Sequence, residues 1–250
     1  MKTCIKTWTI LTCLMASPVF AHANAALEHV LGKLAEKAPA DQVARLREAI
    51  ASSPSLEAQL NALATSGELT QFAVGNEVTL PPKVGPFSAW IHGTTWAFHA
   101  DFIGHHGKTR LYDVVRPGDI LPDNLVFALG HLAYKAKTAK AMDVGSASAK
   151  ALSLQQWVVL RMTNDAEATI QAWNDTVDAA EEENGGAHLT VAQQASMLIN
   201  LQYRGALLKA MQAPEEGKLV VARDGRIEMT AANVAAVTKA LSTSTVFDVQ

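Results

Sequence analysis

The segment at residues 159–180 reads VLRMTNDAEATIQAWNDTVDAA, and it decides the fold class. Its apolar residues return at alternating steps of three and four, and they are Val159, Met162, Ala166, Ile170, Trp173, Val177 and Ala180. This spacing forms one stripe along an α-helix and is typical of a long helix that packs against other helices. We interpret Glu181-Glu182-Glu183, which follow, as a solvent-exposed helix end. The sequence therefore predicts a helical frame built around this segment.

Shorter amphipathic patterns precede and follow the long helix. Three N-terminal stripes predict three short helices, and they are Leu27, Val30, Leu31 and Leu34, then Val43, Leu46 and Ile50, then Leu56, Leu60 and Leu63. Pro122-Asp123 indicates a turn and a helix cap, so we expect a helix from residue 125 to about 142. The capping-box pattern at Thr190 predicts a helix from 190 to about 211, and Thr230 caps a final helix at 231–241.

Two segments of the sequence predict β-hairpins. Trp96, Phe98, Ala100 and Phe102 alternate with more polar residues, and after a turn at 104–107 residues 109–115 would form the return strand. Asp224-Gly225 is a typical two-residue hairpin turn between further extended segments. We therefore expect an α+β fold that is mainly α-helical, with two β-hairpins at about 94–115 and 218–229 packed on a helical frame.

The N-terminus has the pattern of a bacterial secretory signal peptide. Lys2 and Lys6 precede an apolar core at residues 8–20, and Ala21-His22-Ala23 then offers small residues to a signal peptidase. We expect cleavage after Ala23, with Ala25 as the alternative, and a periplasmic or secreted mature protein. The predicted organisation is a signal peptide at 1–23, an N-terminal helical segment at 24–67 and a main α+β domain at 68–250.

Charge and composition exclude several classes of partner. Without Lys2 and Lys6 the chain retains 19 basic and 24 acidic residues, a formal charge of −5. Such a protein lacks the basic surface that nucleic acids and anionic lipids require. No later segment approaches the roughly 18 consecutive apolar residues of a membrane-spanning helix, so we expect a soluble mature form without a transmembrane anchor. Both cysteines, Cys4 and Cys13, lie in the predicted signal peptide, which leaves no disulfide and no cysteine nucleophile.

Histidines are concentrated between residues 92 and 131. On a strand, His99 and Asp101 would leave the same face. Neutral imidazoles with one carboxylate suit zinc or a similar divalent metal, and the candidate ligands are His92, His99, Asp101, His105, His106 and His131. A metal-bound water would then be the nucleophile of a metal-dependent hydrolase of the cell envelope. The competing interpretation is that these histidines are packed or lie in loops, because no tightly spaced metal motif is present.

Aromatic residues share this Gly- and Pro-rich region, and the candidate binding residues are Trp90, Trp96, Tyr112 and Tyr134. Segments of this composition often form recognition surfaces. The sequence has no nucleophile elbow, phosphate loop or dinucleotide-binding fingerprint. We therefore expect an exported binding or interaction protein, for example of the inhibitor or immunity type, with a protein or small-molecule partner and no cofactor. The alternative is the metal-dependent hydrolase.

Overall fold

The structure, a computed structural model, describes residues 24–75, 89–105, 119–140, 142–143, 150–202, 204–214 and 217–243. In these ranges a small sheet is packed within a helical frame, which confirms the mainly helical α+β class. Among the described helices, none combines the length and the apolar character needed to cross a membrane.

The described ranges contain helices for most of their length and three short strands. The helices are α1 (Ala25–Ala35), α2 (Ala40–Ala51), α3 (Pro54–Ser66), α4 (Ala100–His105), α5 (Asn124–Thr138), α6 (Leu154–Glu183), α7 (Val191–Asn200), α8 (Gly205–Met211) and α9 (Ala231–Ser242). The strands are β1 (Gln71–Gly75), β2 (Ala89–His92) and β3 (Thr95–His99).

Helices α1, α2 and α3 confirm the predicted N-terminal stripes, because the residues of each stripe are the ones that become buried. Helix α3 begins after Ser53, whose Oγ accepts a hydrogen bond from the Leu56 amide at 3.3 Å. It ends at Gly67, where a φ of 78° favours glycine. The three helices pack with the sheet and α5 around a set of buried apolar residues that we call the first core.

The sheet has the order β1-β3-β2, with β1 parallel and β2 antiparallel to β3. The hairpin predicted at 94–115 is not confirmed, because β3 stops at His99 and α4 follows at once. Phe102 and Ile103 are neighbours in sequence and both are buried, which suits a helix but not a strand with one apolar face. The observed hairpin joins β2 to β3 instead. The predicted return strand at 109–115 lies outside the described residues.

Helices α5 and α6 run against each other with a close approach at Gly130. A Cβ at this position would lie 3.1 Å from the Cα of Ala172, so the glycine lets the two backbones come together. The stripe predicted for α6 is buried from Ala166 to Ala180, whereas Val159 is exposed in the first turns of the helix. The buried part of the stripe packs with α7, α8 and α9 in the second core.

The prediction of one continuous helix at 190–211 is wrong, because the structure has two shorter helices there. The helical segment begins with the predicted capping box at Thr190 but is interrupted after Asn200, because Leu201 adopts an extended conformation with ψ at 127°. The amide of Gln202 then donates to the side chain of Asn124 at 2.8 Å, which holds the break against the start of α5. Helix α8 resumes at Gly205.

The hairpin predicted at 218–229 is also not confirmed, although its turn is present. Gly225 has a φ of 87°, and the Ala222 amide donates to the Arg226 carbonyl at 2.8 Å. The flanking residues form no strand ladder because side chains bind much of their backbone. The Trp173 indole donates to the Gly225 carbonyl at 2.8 Å, and Asn174 exchanges two hydrogen bonds with Ile227 at 2.8 and 2.9 Å.

Candidate functional site

The predicted aromatic binding residues that the structure describes differ in their exposure. Trp96 has no exposed surface and packs edge-on against Phe72 in the first core, so it contributes to packing. Trp90 is half-buried on β2. Tyr134 is half-buried on α5, and its hydroxyl donates to Glu167 at 2.9 Å. Tyr112 lies outside the described residues.

His99 and Asp101 do not share the face that a strand would give them, because Asp101 lies in the first turn of α4. His99 is buried, and its Nδ1 accepts a hydrogen bond from the Asp101 amide at 3.2 Å. The Asp101 carboxylate is exposed and lies 3.7 Å from the same nitrogen. His92 pairs with Thr95 at the opposite end of β3. The strand thus separates His92 from His99.

His131 also has a packing role. Its ring stacks on Phe127, with centroids 6.5 Å apart. Desolvation of the imidazole, with a smaller effect of the Lys135 charge, lowers the pKa of His131 to about 4, so the ring is neutral at physiological pH. The His105 side chain and His106 lie outside the described residues. Within the part of the chain that is described, no three His, Cys, Asp or Glu side chains are placed to hold a metal ion.

A cleft of about 250 Å³ lies where α2, the segment before α5 and the last turns of α6 meet. Four carboxyl groups line it, and they belong to Glu48, Asp123, Glu182 and Glu183. Small or apolar groups complete its wall, from Ser52, Leu121, Ala179 and Ala180. We call this the acidic cleft, and its chemistry is that of a pocket for positive charge.

The end of α6 makes the cleft more negative than its carboxylates alone would. Helix C-termini carry a partial negative charge and favour basic residues, but the last turn of α6 has three glutamates and no basic residue. Like charges placed there destabilise the helix end unless a cation compensates them. Glu182 and Glu183, which lie in this last turn, both line the cleft.

Glu181 differs from Glu182 because other side chains of the protein compensate its charge. Its carboxylate accepts a hydrogen bond from Arg226 at 2.7 Å and lies 2.7 Å from Nδ1 of His188. Burial alone would raise the pKa of Glu181, but the hydrogen bonds from Arg226 and His188 together lower it. The prediction of a solvent-exposed end is therefore wrong for Glu181, which is 8% exposed, and agrees with the exposed Glu182 and Glu183.

Asp123 is fixed in the cleft wall by partners of its own. One carboxylate oxygen accepts from the amides of Leu125 and Val126 at 3.0 and 3.4 Å, which makes it the predicted N-cap of α5. The other accepts from Arg45 at 2.5 Å. Arg45 also lies 3.7 Å from Glu48. Among the described residues, Arg45 is thus shared between Asp123 and Glu48, and four carboxyl groups line the cleft.

Sequence reasoning did not find the cleft because its acidic residues lie far apart in the chain. The one local signal was Glu181-Glu182-Glu183 at a helix C-terminus, where the helix dipole disfavours acids. No family model matches the chain, and no curated protein and no solved structure matches it either.

Proposed function

We propose that this chain is an exported binding protein whose acidic cleft takes an organic cation, namely an ammonium or guanidinium group. The observation that carries the proposal is the cleft of about 250 Å³, which is lined by four carboxyl groups from three segments of the described chain. Ammonium and guanidinium groups are pure hydrogen-bond donors, and carboxylates are their natural acceptors.

The size of the cleft favours a small group over a large ligand. Pockets for drug-sized molecules have volumes of roughly 300 to 1,000 Å³. A volume of about 250 Å³ suits one lysine or arginine side chain of a protein partner, or a short free amine. Both sources offer the same chemistry, so the binding test needs a probe for each.

The binding test is isothermal titration calorimetry with three probes at low ionic strength. N-acetyl-arginine amide represents a partner's side chain, 1,4-diaminobutane represents a free amine, and N-acetyl-citrulline amide is the neutral analogue of the arginine probe. We expect the citrulline probe to bind about tenfold more weakly than the arginine probe, because the loss of the charge removes about 1.4 kcal/mol of attraction. Added salt should weaken the binding of both cations.

Variants of the cleft connect the binding to its carboxylates. The double variant Glu48→Gln/Glu182→Gln should bind the cationic probes about tenfold more weakly, since two partly exposed charge contacts are lost. The matched control is Glu36→Gln/Glu228→Gln, which removes two exposed glutamates that do not line the cleft. The proposal is wrong if the citrulline and arginine probes bind equally, if neither cation binds, or if the control weakens binding as much as the cleft variant.

A further inference from the structure

Asp175 of α6 is a carboxyl group without any exposed surface, and the side chains that donate hydrogen bonds to it are neutral. Ser55 and Gln59 of α3 donate to it, the latter at 3.1 Å, and Gln171 of α6 donates at 3.0 Å. We call these four residues the Asp175 cluster. The cluster joins α3 to α6, because its hydrogen bonds cross the interface between the two helices.

No cation balances this buried charge in the part of the chain that the structure describes: none of the ion pairs found there includes Asp175. The facing side chains of α3 are the neutral Ser55 and Gln59. The charged group that acts on Asp175 from α6 is another carboxylate, Asp178, which is itself bound to Arg226.

The Asp175 cluster lies where the packing of three helices meets. On α6, Val177 belongs to the second core and Ala179 to the first, so the seam between the cores runs beside Asp175. The facing position on α5 is Gly130, whose missing side chain leaves room for the carboxylate. A change of charge at Asp175 therefore acts where α3, α5 and α6 meet.

We propose that Asp175 makes the docking of α3 on α6 sensitive to pH, with the neutral acid holding the helices together more firmly than the buried carboxylate does. Ionisation leaves an uncompensated charge in the protein interior, and three neutral hydrogen bonds only partly replace its hydration. Consistent with this, desolvation raises the pKa of Asp175 to about 6, although the hydrogen bonds from Ser55, Gln171 and Gln59 oppose the rise.

The direction of the effect follows from linkage. A carboxyl group with a raised pKa stabilises the closed interface fully below the unfolded value of 3.8, and this stabilisation is lost as pH rises towards about 6. A difference of roughly two pKa units corresponds to an opening equilibrium about 100-fold larger when Asp175 is ionised, of which about tenfold develops above pH 5.

Hydrogen–deuterium exchange on the full chain tests the proposal. Protection of residues 54–66 is compared between the wild type and Asp175→Asn near pH 5 and again near pH 7.5. We expect the ratio of wild-type to variant protection to fall about tenfold between these conditions. Asp41→Asn, an exposed acid on α2, is the control and should follow the wild type. A ratio that does not change with pH would overturn the proposal.

A carbon-13 NMR titration of the wild-type carboxyl groups supplies a second readout that does not depend on the variant's folding. We expect the Asp175 signal to titrate with a midpoint near 6. A midpoint at or below about 4, the usual value for an aspartate, would show that the buried carboxylate is compensated and would also overturn the proposal.

Discussion

The carboxylate of Asp175 lies in the space that a side chain at Gly130 would occupy. A Cβ on Gly130 would overlap with an oxygen of that carboxylate and would lie 3.1 Å from the Cα of Ala172. The glycine therefore allows two things at once, the close approach of α5 to α6 and the burial of an acid between them.

The variant Gly130→Ala should destabilise the protein by about 2 kcal/mol, because the added methyl group overfills a close-packed interface. Urea denaturation measures this free energy of unfolding. The control is Gly32→Ala on α1, where a Cβ meets nothing within 4 Å. That control should be stabilised by about 0.5 to 1 kcal/mol, since alanine is a better helix former than glycine. A Gly130→Ala protein as stable as the wild type would show that α5 and α6 can move apart without a loss of stability.

Replacement of Asp175 by Asn should change how global stability depends on pH. The raised pKa of Asp175 means that its stabilising contribution is present at acidic pH and is lost as pH rises from 3.8 towards about 6. The wild type should therefore lose about 3 kcal/mol relative to Asp175→Asn over this interval. Denaturation curves of both proteins at several pH values give the difference directly, and parallel pH profiles would contradict the expectation.

Arg226 fixes the segment before α9 to the long helix. Its guanidinium donates to Asp178 at 2.5 Å, to Glu181 at 2.7 Å and to Asp224 at 3.3 Å. The variant Arg226→Gln leaves these half-buried acids uncompensated, so we expect a loss of about 2 kcal/mol near neutral pH. Arg223→Gln, which removes an exposed arginine, should have little effect.

The deficit of Arg226→Gln should shrink in acid. The pKa of Glu181 is lowered, so its stabilising contribution is present above the unfolded value of 4.5 and is lost as pH falls through the folded value. Urea denaturation of the variant and the wild type near pH 7 and near pH 4 measures this change. An equal deficit at both pH values would show that the loss is one of packing alone.

Cleavage of the precursor should occur after Ala23. Asn24 would then be the first residue of the mature chain, and its side-chain amide donates to Glu57 of α3 at 2.5 Å. Cleavage after Ala25 would remove that contact. Mass spectrometry of protein secreted by a bacterial host distinguishes the two sites, and retention of residues 1–23 would show that the signal peptide prediction is wrong.

Local signals in the sequence were sufficient for most helices. The stripes of α1, α2 and α3 and the caps at Thr190 and Thr230 all depend on residues within a few positions of one another. Periodicity and capping report on such short distances, so they predict where a helix lies and which face it buries. They do not predict which helix packs against the buried face of another.

The sequence-based predictions failed where contacts with residues far along the chain override a local pattern. The alternation at 96–102 is compatible with a strand, but its last residues are buried by the helices around the first core and form α4. The acidic cleft is assembled from Glu48, Asp123 and Glu182, which lie on three separate segments. Glu181 accepts a hydrogen bond from Arg226, which lies 45 positions further along the chain. No pattern of local spacing contains these pairings.

The segment at 218–230 depends on particular side chains for its shape. In a paired strand the backbone supplies its own partners, so most substitutions leave the hydrogen bonds intact. In this segment the partners of the backbone include the indole of Trp173 and the amides of Asn174 and Asn233. Tolerance to mutation should therefore be low at these three positions, which lie on neighbouring helices. It should be high at the exposed residues of the segment itself, although they form the chain whose shape is being held.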